Sequence, residues 1–179
     1  METEKQIKIL FLCTGNSCRS QMAEAFTRHL ITDRIDAYSA GIAPKAVDSR
    51  AIKVMSEIGI DISSQQSKST NDMKDMEFDF VITLCDNAQK TCPTFPAKTS
   101  VFHMGFDDPP KLAANSQNEK EALEHYRRVR NEIKIFVKQL PDILKQKKKD
   151  LVFDQARFVA GLQSIIGQIP KGAETTKKS

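Results

Sequence analysis

The chain has 179 residues, 40% of them hydrophobic, no tryptophan and a formal net charge of +4. That length suits one domain with an ordinary core, and no run of 18 apolar residues occurs, which excludes a transmembrane helix. Eight of the 27 Lys/Arg but only four of the 23 Asp/Glu lie from Pro141 onward, so residues 1–140 are balanced and carry no basic face of the kind that binds nucleic acid. Residues 1–5 include two acids and precede only a short apolar run, so no signal peptide and a cytoplasmic location are expected. There, four cysteines serve reactivity more readily than structure.

Residues 7–12 read as a buried strand and residues 19–31 as an amphipathic helix, with Met22, Ala23, Phe26, Leu30 and Ile31 at near-helical spacing. Asp36-Ala37-Tyr38-Ser39 reads as a short second strand stopped by Gly41. Asp48 is placed to cap a helix through Ala51, Ile52, Met55 and Ile58, closed by Gly59. Residues 61–76 are polar and predict a loop with a short helix. Residues 80–84 form the clearest later strand, and residues 99–103 another, before a turn at Gly105-Phe106-Asp107-Asp108-Pro109-Pro110. The longest helical pattern covers 119–140, and Pro141 should end or kink it. Residues 141–179 then form a C-terminal extension: a solvated lysine-rich connector, a helix over 150–167 and a disordered basic tail. Strands alternating with helices predict an α/β fold, a parallel sheet sandwiched between helices.

Between the first strand and first helix stands Cys13-Thr14-Gly15-Asn16-Ser17-Cys18-Arg19-Ser20. A helix start leaves backbone N–H groups unpaired, and with the helix dipole they attract an oxyanion. The same field favours the thiolate of Cys13, the nucleophilic form. Arg19 supplies a fork of donors matched to two oxygens of one oxyanion. Gly15 is expected to permit the turn, Asn16 to brace it, and Ser17 and Ser20 to offer hydroxyls. Thr14 and Cys18 complete the loop, Cys18 as a buried, inert thiol. Ligands of such sheets sit at the carboxyl ends of strands, which is where both Cys13 and Cys85 fall.

Cys85 and Cys92 lie seven residues apart. Zinc sites show tighter pairs with further ligands, and His29, His103 and His125 are scattered, so no metal is expected. A static disulfide is out of keeping with cytoplasm. A cycling redox pair is the better reading. Seven residues of rigid helix would span about 10 Å, so the intervening segment must rearrange to let the sulfurs meet. Asp108 alone reads as an ordinary acidic turn residue.

Taken together, the residues from Cys13 to Glu24, Tyr38-Ser39-Ala40-Gly41, Gly59-Ile60-Asp61-Ile62-Ser63, Val81-Ile82-Thr83-Leu84-Cys85 with Cys92-Pro93, and Gly105-Phe106-Asp107-Asp108-Pro109 resemble the thioredoxin-coupled arsenate reductases. These share the fold of low-molecular-weight protein tyrosine phosphatases, and the resemblance covers roughly residues 7–140. It implies a three-layer sandwich around a four-stranded parallel sheet. It implies that Cys13 attacks arsenate held by residues 14–20, with Asp108 as general acid. Cys85 then attacks Cys13 and Cys92 resolves Cys85, leaving a Cys85–Cys92 disulfide for thioredoxin to reduce. A weak phosphatase side activity, a monomer and no tightly bound cofactor are implied as well.

The chain departs from the pattern in three places. Members often carry a threonine and an aspartate after the position of Ile62, near a potassium site. Here Ser63-Ser64-Gln65-Gln66-Ser67-Lys68 has no acid, which puts a potassium site in doubt although Asn16 and Ser39 remain, and Lys68 is a candidate source of positive charge instead. Pro110 stands where tyrosine phosphatases usually have an aromatic nearby, which argues against phosphotyrosine as the main substrate. The extension 141–179 has no counterpart. Two other readings stay open: a low-molecular-weight phosphatase hydrolysing phosphate monoesters with incidental cysteines, and a non-catalytic sensor using the loop only to bind. The Cys85 and Cys92 pair favours the reductase over the first, and Asp108 over the second, since sensing needs no acid.

Overall fold

The structure, a computed structural model, describes residues 6–96 and 98–148. Its strands are β1 (Ile7–Cys13), β2 (Ile35–Gly41), β3 (Phe80–Thr83) and β4 (Ser100–His103). Its helices are α1 (Arg19–Leu30), α2 (Ser49–Ser56), α3 (Asp86–Lys90), α4 (Pro109–Ala113) and α5 (Glu119–Lys148), with a 3-10 turn at Thr70–Met73. The four strands form one parallel sheet in the order β2-β1-β3-β4. Each parallel step needs a crossover, and helices supply it.

Strand alternation builds the three layers. Ile9 and Phe11 of β1 face one core, with Met22 and Phe26 of α1 and Val129, Ile133 and Phe136 of α5. Leu10 and Leu12 face a smaller one, with Val81, Phe78 and Ala88. Both faces are therefore dry, which accounts for the unbroken apolar run in β1. The register sets Cys13 opposite Gly41 and Leu12 opposite Thr83, so the sequence just beyond the ends of β1 and β3 shares one rim.

Asp48 caps α2 as its position foretold, its carboxylate accepting from the Arg50 and Ala51 amides at 2.8 and 3.2 Å. Gly59 takes φ +78°, the left-handed conformation that ends a helix. One expectation is corrected: Leu30 is 38% exposed rather than part of the packed face of α1. Of the two outcomes expected at Pro141, an end to the helix does not occur, and α5 runs through it to Lys148. Ile143 and Leu144, one turn on, are buried, and burying two such side chains offsets the roughly 3 kcal/mol that a helical proline costs. The boundary expected at 140/141 therefore falls inside a helix. The expected helix over 150–167 and the tail lie outside the described residues.

Candidate active site

β1 delivers Cys13 to the rim, and the chain turns sharply before α1 begins at Arg19. The turn is made at Asn16, the one non-glycine among the described residues with positive φ, at +44°. Gly15 has no such angle, so the expectation that it carries the unusual backbone is corrected. Asparagine tolerates the left-handed region because its short side chain bonds locally. The glycine that the loop does require is Gly41 on the neighbouring strand. A Cβ there would lie 2.8 Å from the Asn16 amide nitrogen and 2.8 Å from the Thr14 carbonyl oxygen.

That close approach lets the segment after β2 grip the loop. The amides of Ile42, Ala43, Lys45 and Asp48 donate to the carbonyls of Cys13, Thr14, Gly15 and Ser17, at 2.8–3.2 Å. In a trans peptide the N–H points opposite to its carbonyl, so the amides of residues 14, 15, 16 and 18 turn the other way. The Asn16 amide meets the Cys13 sulfur at 3.2 Å. The loop thus has the backbone geometry that an oxyanion cradle requires.

The sulfur has a second partner, the Ser20 hydroxyl at 2.9 Å. The side chains behind Ser20 are ordered by their own hydrogen bonds. The Asn16 amide oxygen accepts from the Lys68 N–H (2.7 Å) and from Gln21 (3.2 Å). Its NH2 group must therefore face Ser20 and Ser39, each at 2.8 Å. Ser20 accepts from Asn16 and has its own proton to donate to Cys13 when that sulfur is a thiolate, which can only accept. The Ser39 hydroxyl donates to the carboxylate of Glu24 in a short contact. Glu24, Ser39, Asn16 and Ser20 thus form a buried hydrogen-bonded chain that ends on the sulfur. From the sequence no role attached to Glu24 or Gln21, and Ser39 stood only as a residue remaining near the potassium position. The available signal was a polar stripe, Ser20, Gln21 and Glu24, on a helix whose other face is apolar.

Arg19 donates to the Phe106 carbonyl at 2.9 Å and pairs with Asp108 at 3.4 Å. Asp108 sits at the N-cap of α4 but makes no capping bond with its side chain, and Pro109 follows at the first helical positions. Its carboxylate is left to face Arg19. A cleft of about 610 Å3 opens beside them, lined also by Asp86, His103, Phe106 and Lys111. Asp107, the neighbouring acid, pairs instead with Arg128 at 2.8 Å.

Cys85 caps α3, its sulfur 3.4 Å from the Ala88 amide and 3.4 Å from the Thr14 hydroxyl. Asn87 donates to the same hydroxyl at 3.1 Å. Cys13 and Cys85 belong to one buried apolar cluster, with Cys92 packed against it. All four cysteines are free. Burial pushes the Cys92 thiol up and the Cys18 thiol up strongly, Asp48 adding to the effect at Cys18. Cys18 is thereby the inert member of the set. No grouping of three His, Cys, Asp or Glu side chains among the described residues could hold a metal ion.

Comparison with known proteins matches residues 8–150 to the model of the low molecular weight phosphotyrosine protein phosphatases. The arsenate reductase of Halalkalibacterium halodurans is 49% identical over 125 residues, 70% of this chain and 88% of that one. A solved arsenate reductase in its oxidised state is 33% identical, with a TM-score of 0.63 over 74% of this chain and 95% of its own. Another, in a phosphate-binding state, is 32% identical with a TM-score of 0.58, over 75% and 96%.

Proposed function

The chain belongs to the low molecular weight phosphotyrosine protein phosphatase family, and from that premise we propose that it reduces arsenate to arsenite with electrons from its own thiols. Arsenate is held by the amides of the 14–20 loop and by Arg19. The Cys13 thiolate attacks arsenic and an As–S bond forms. An As–O bond breaks, and the departing oxygen takes a proton from Asp108 to leave as water. The Cys85 thiolate then attacks the Cys13 sulfur. A disulfide forms as the S–As bond breaks, and its electron pair stays on arsenic, which leaves as arsenite. Cys92 attacks Cys85 and frees Cys13, so two thiols are oxidised for one two-electron reduction. Thioredoxin returns the Cys85–Cys92 disulfide to dithiol.

The observation that carries this reading is the gathering of three thiols on one apolar cluster, with the Thr14 hydroxyl against the Cys85 sulfur and the Asn16 amide against that of Cys13. A phosphatase needs only Cys13. Between Cys85 and Cys92 stands a helix of only five residues. Helices that short are marginal, so it can unwind to bring the sulfurs within bonding range. The loop, Arg19 and Asp108 equally suit a phosphate monoester, so slow phosphatase turnover accompanies the main reaction.

The test is NADPH consumption with arsenate, thioredoxin and thioredoxin reductase. Wild-type protein should turn over repeatedly. Cys92→Ser should release one equivalent of arsenite and stop, with Cys13 joined to Cys85. A Cys92→Ser variant that hydrolyses a phosphate ester at the wild-type rate, in a protein inert to arsenate, would establish a phosphatase instead.

A further inference from the structure

The family resemblance implies a potassium ion near the segment that follows Ile62, and the residues there do not fit one. Hard cations take oxygen ligands, carboxylates above all. The carboxylate of this region is Glu24, 2% exposed. One of its oxygens pairs with the Arg28 guanidinium at 2.8 Å, and the other faces the Lys68 ammonium at 3.5 Å. A carboxylate with two cations offers a third little attraction.

We infer that Lys68 is a positioning residue whose ammonium serves as the resident cation of Glu24, in place of a bound alkali metal ion. Its main chain fixes where that ammonium lies. The Lys68 N–H donates to the Asn16 amide oxygen at 2.7 Å, and its carbonyl accepts from Gly41 at 2.8 Å. The ammonium also donates to the Gln66 carbonyl at 3.0 Å. One residue thus grips the buried chain at two points, Asn16 through its backbone and Glu24 through its charge. The chain runs Glu24, Ser39, Asn16, Ser20, Cys13. Removing the ammonium leaves a buried carboxylate with only the half-exposed Arg28 as counter-charge, a costly arrangement. Lys68 plays this part whether or not arsenate is the substrate, and rests on the proposed function only in taking Cys13 as the nucleophile.

The test therefore reads the loop without arsenate. Thermal midpoints and the rate of Cys13 alkylation by iodoacetamide, located by mass spectrometry, are measured at pH 6–9. Potassium chloride is compared with tetramethylammonium chloride at equal ionic strength. Wild-type protein should give the same values in both salts. Lys68→Ala should melt about 5 °C lower in tetramethylammonium. Its alkylation at pH 7 should be about threefold slower, half a unit in thiolate pKa. Potassium should restore part of both losses by entering the vacated place. A potassium-specific gain in wild-type protein would overturn the inference. So would Lys68→Ala matching wild type, or losing equally in both salts. If Lys68→Ala does not fold, the wild-type comparison decides alone.

Discussion

The Ser20 hydroxyl lies 2.9 Å from the Cys13 sulfur, and because it accepts from Asn16 it has its own proton to donate to a Cys13 thiolate. A hydrogen bond to a charged acceptor is worth about 1.5–3 kcal/mol. Ser20→Ala should accordingly lower the alkylation rate of Cys13 at neutral pH by roughly tenfold and move its pH profile upward. Thiolate absorbance followed against pH measures the shift directly. An unmoved profile would mean that the backbone amides hold the thiolate alone.

Asp108 faces Arg19 at 3.4 Å and takes no part in capping α4. As a general acid it contributes on the order of 100- to 10,000-fold. Asp108→Asn should lower kcat within that range, leave the KM for arsenate within a few-fold, and flatten the basic limb of the kcat profile. Arg19→Lys should act the other way, raising KM by at least about tenfold because an ammonium cannot replace a bidentate fork. Steady-state kinetics across pH 6–9 separate the two.

Gly41 is the point where β2 passes the loop. A Cβ would meet Asn16 and Thr14 main-chain atoms at 2.8 Å, and main chain cannot swing aside as a side chain can. Gly41→Ala should cost about 1–3 kcal/mol in urea unfolding and slow Cys13 alkylation as the loop is pushed away. Gly59→Ala is the control. That site is open but has φ +78°, so its loss should be in stability alone.

Burial raises the Cys18 thiol in the folded protein, so the folded state holds that proton more tightly than the unfolded chain. Its contribution to stability is complete below the unfolded thiol pKa of about 8.5 and declines as pH rises above it. Unfolding free energies of wild type and Cys18→Ala, taken at pH 7 and pH 10, should show the smaller decline in the variant. Arsenate turnover by Cys18→Ala should stay near the wild-type level, since the relay does not use this sulfur.

The apolar run of residues 7–12, the Cys13…Arg19 spacing and the alternation of strands with helices were enough to read the parallel sheet and the loop between β1 and α1, because these depend on local periodicity and on groups adjacent in sequence. Whether Pro141 would end α5 was not legible, because helix propensity is local whereas the packing of Ile143 and Leu144 that carries α5 onward is not. Gly15 misled for the same kind of reason. The composition of the loop admits either residue as its left-handed point, and Asn16 takes it because Lys68 and Ser39, from distant segments, bond its side chain.

By itself the sequence singled out Cys13, Arg19 and the Cys85 and Cys92 pair as candidates, since chemistry of that kind resides in residue types and their spacing. Only the tertiary structure decided what stands behind the sulfur. Glu24, Ser39 and Lys68 come from α1, β2 and the segment before the 3-10 turn. Their meeting rests on a strand register and a glycine at position 41, which no periodicity reveals. A buried charge is tolerable only where such distant partners converge, so its counter-charge is a property of the fold.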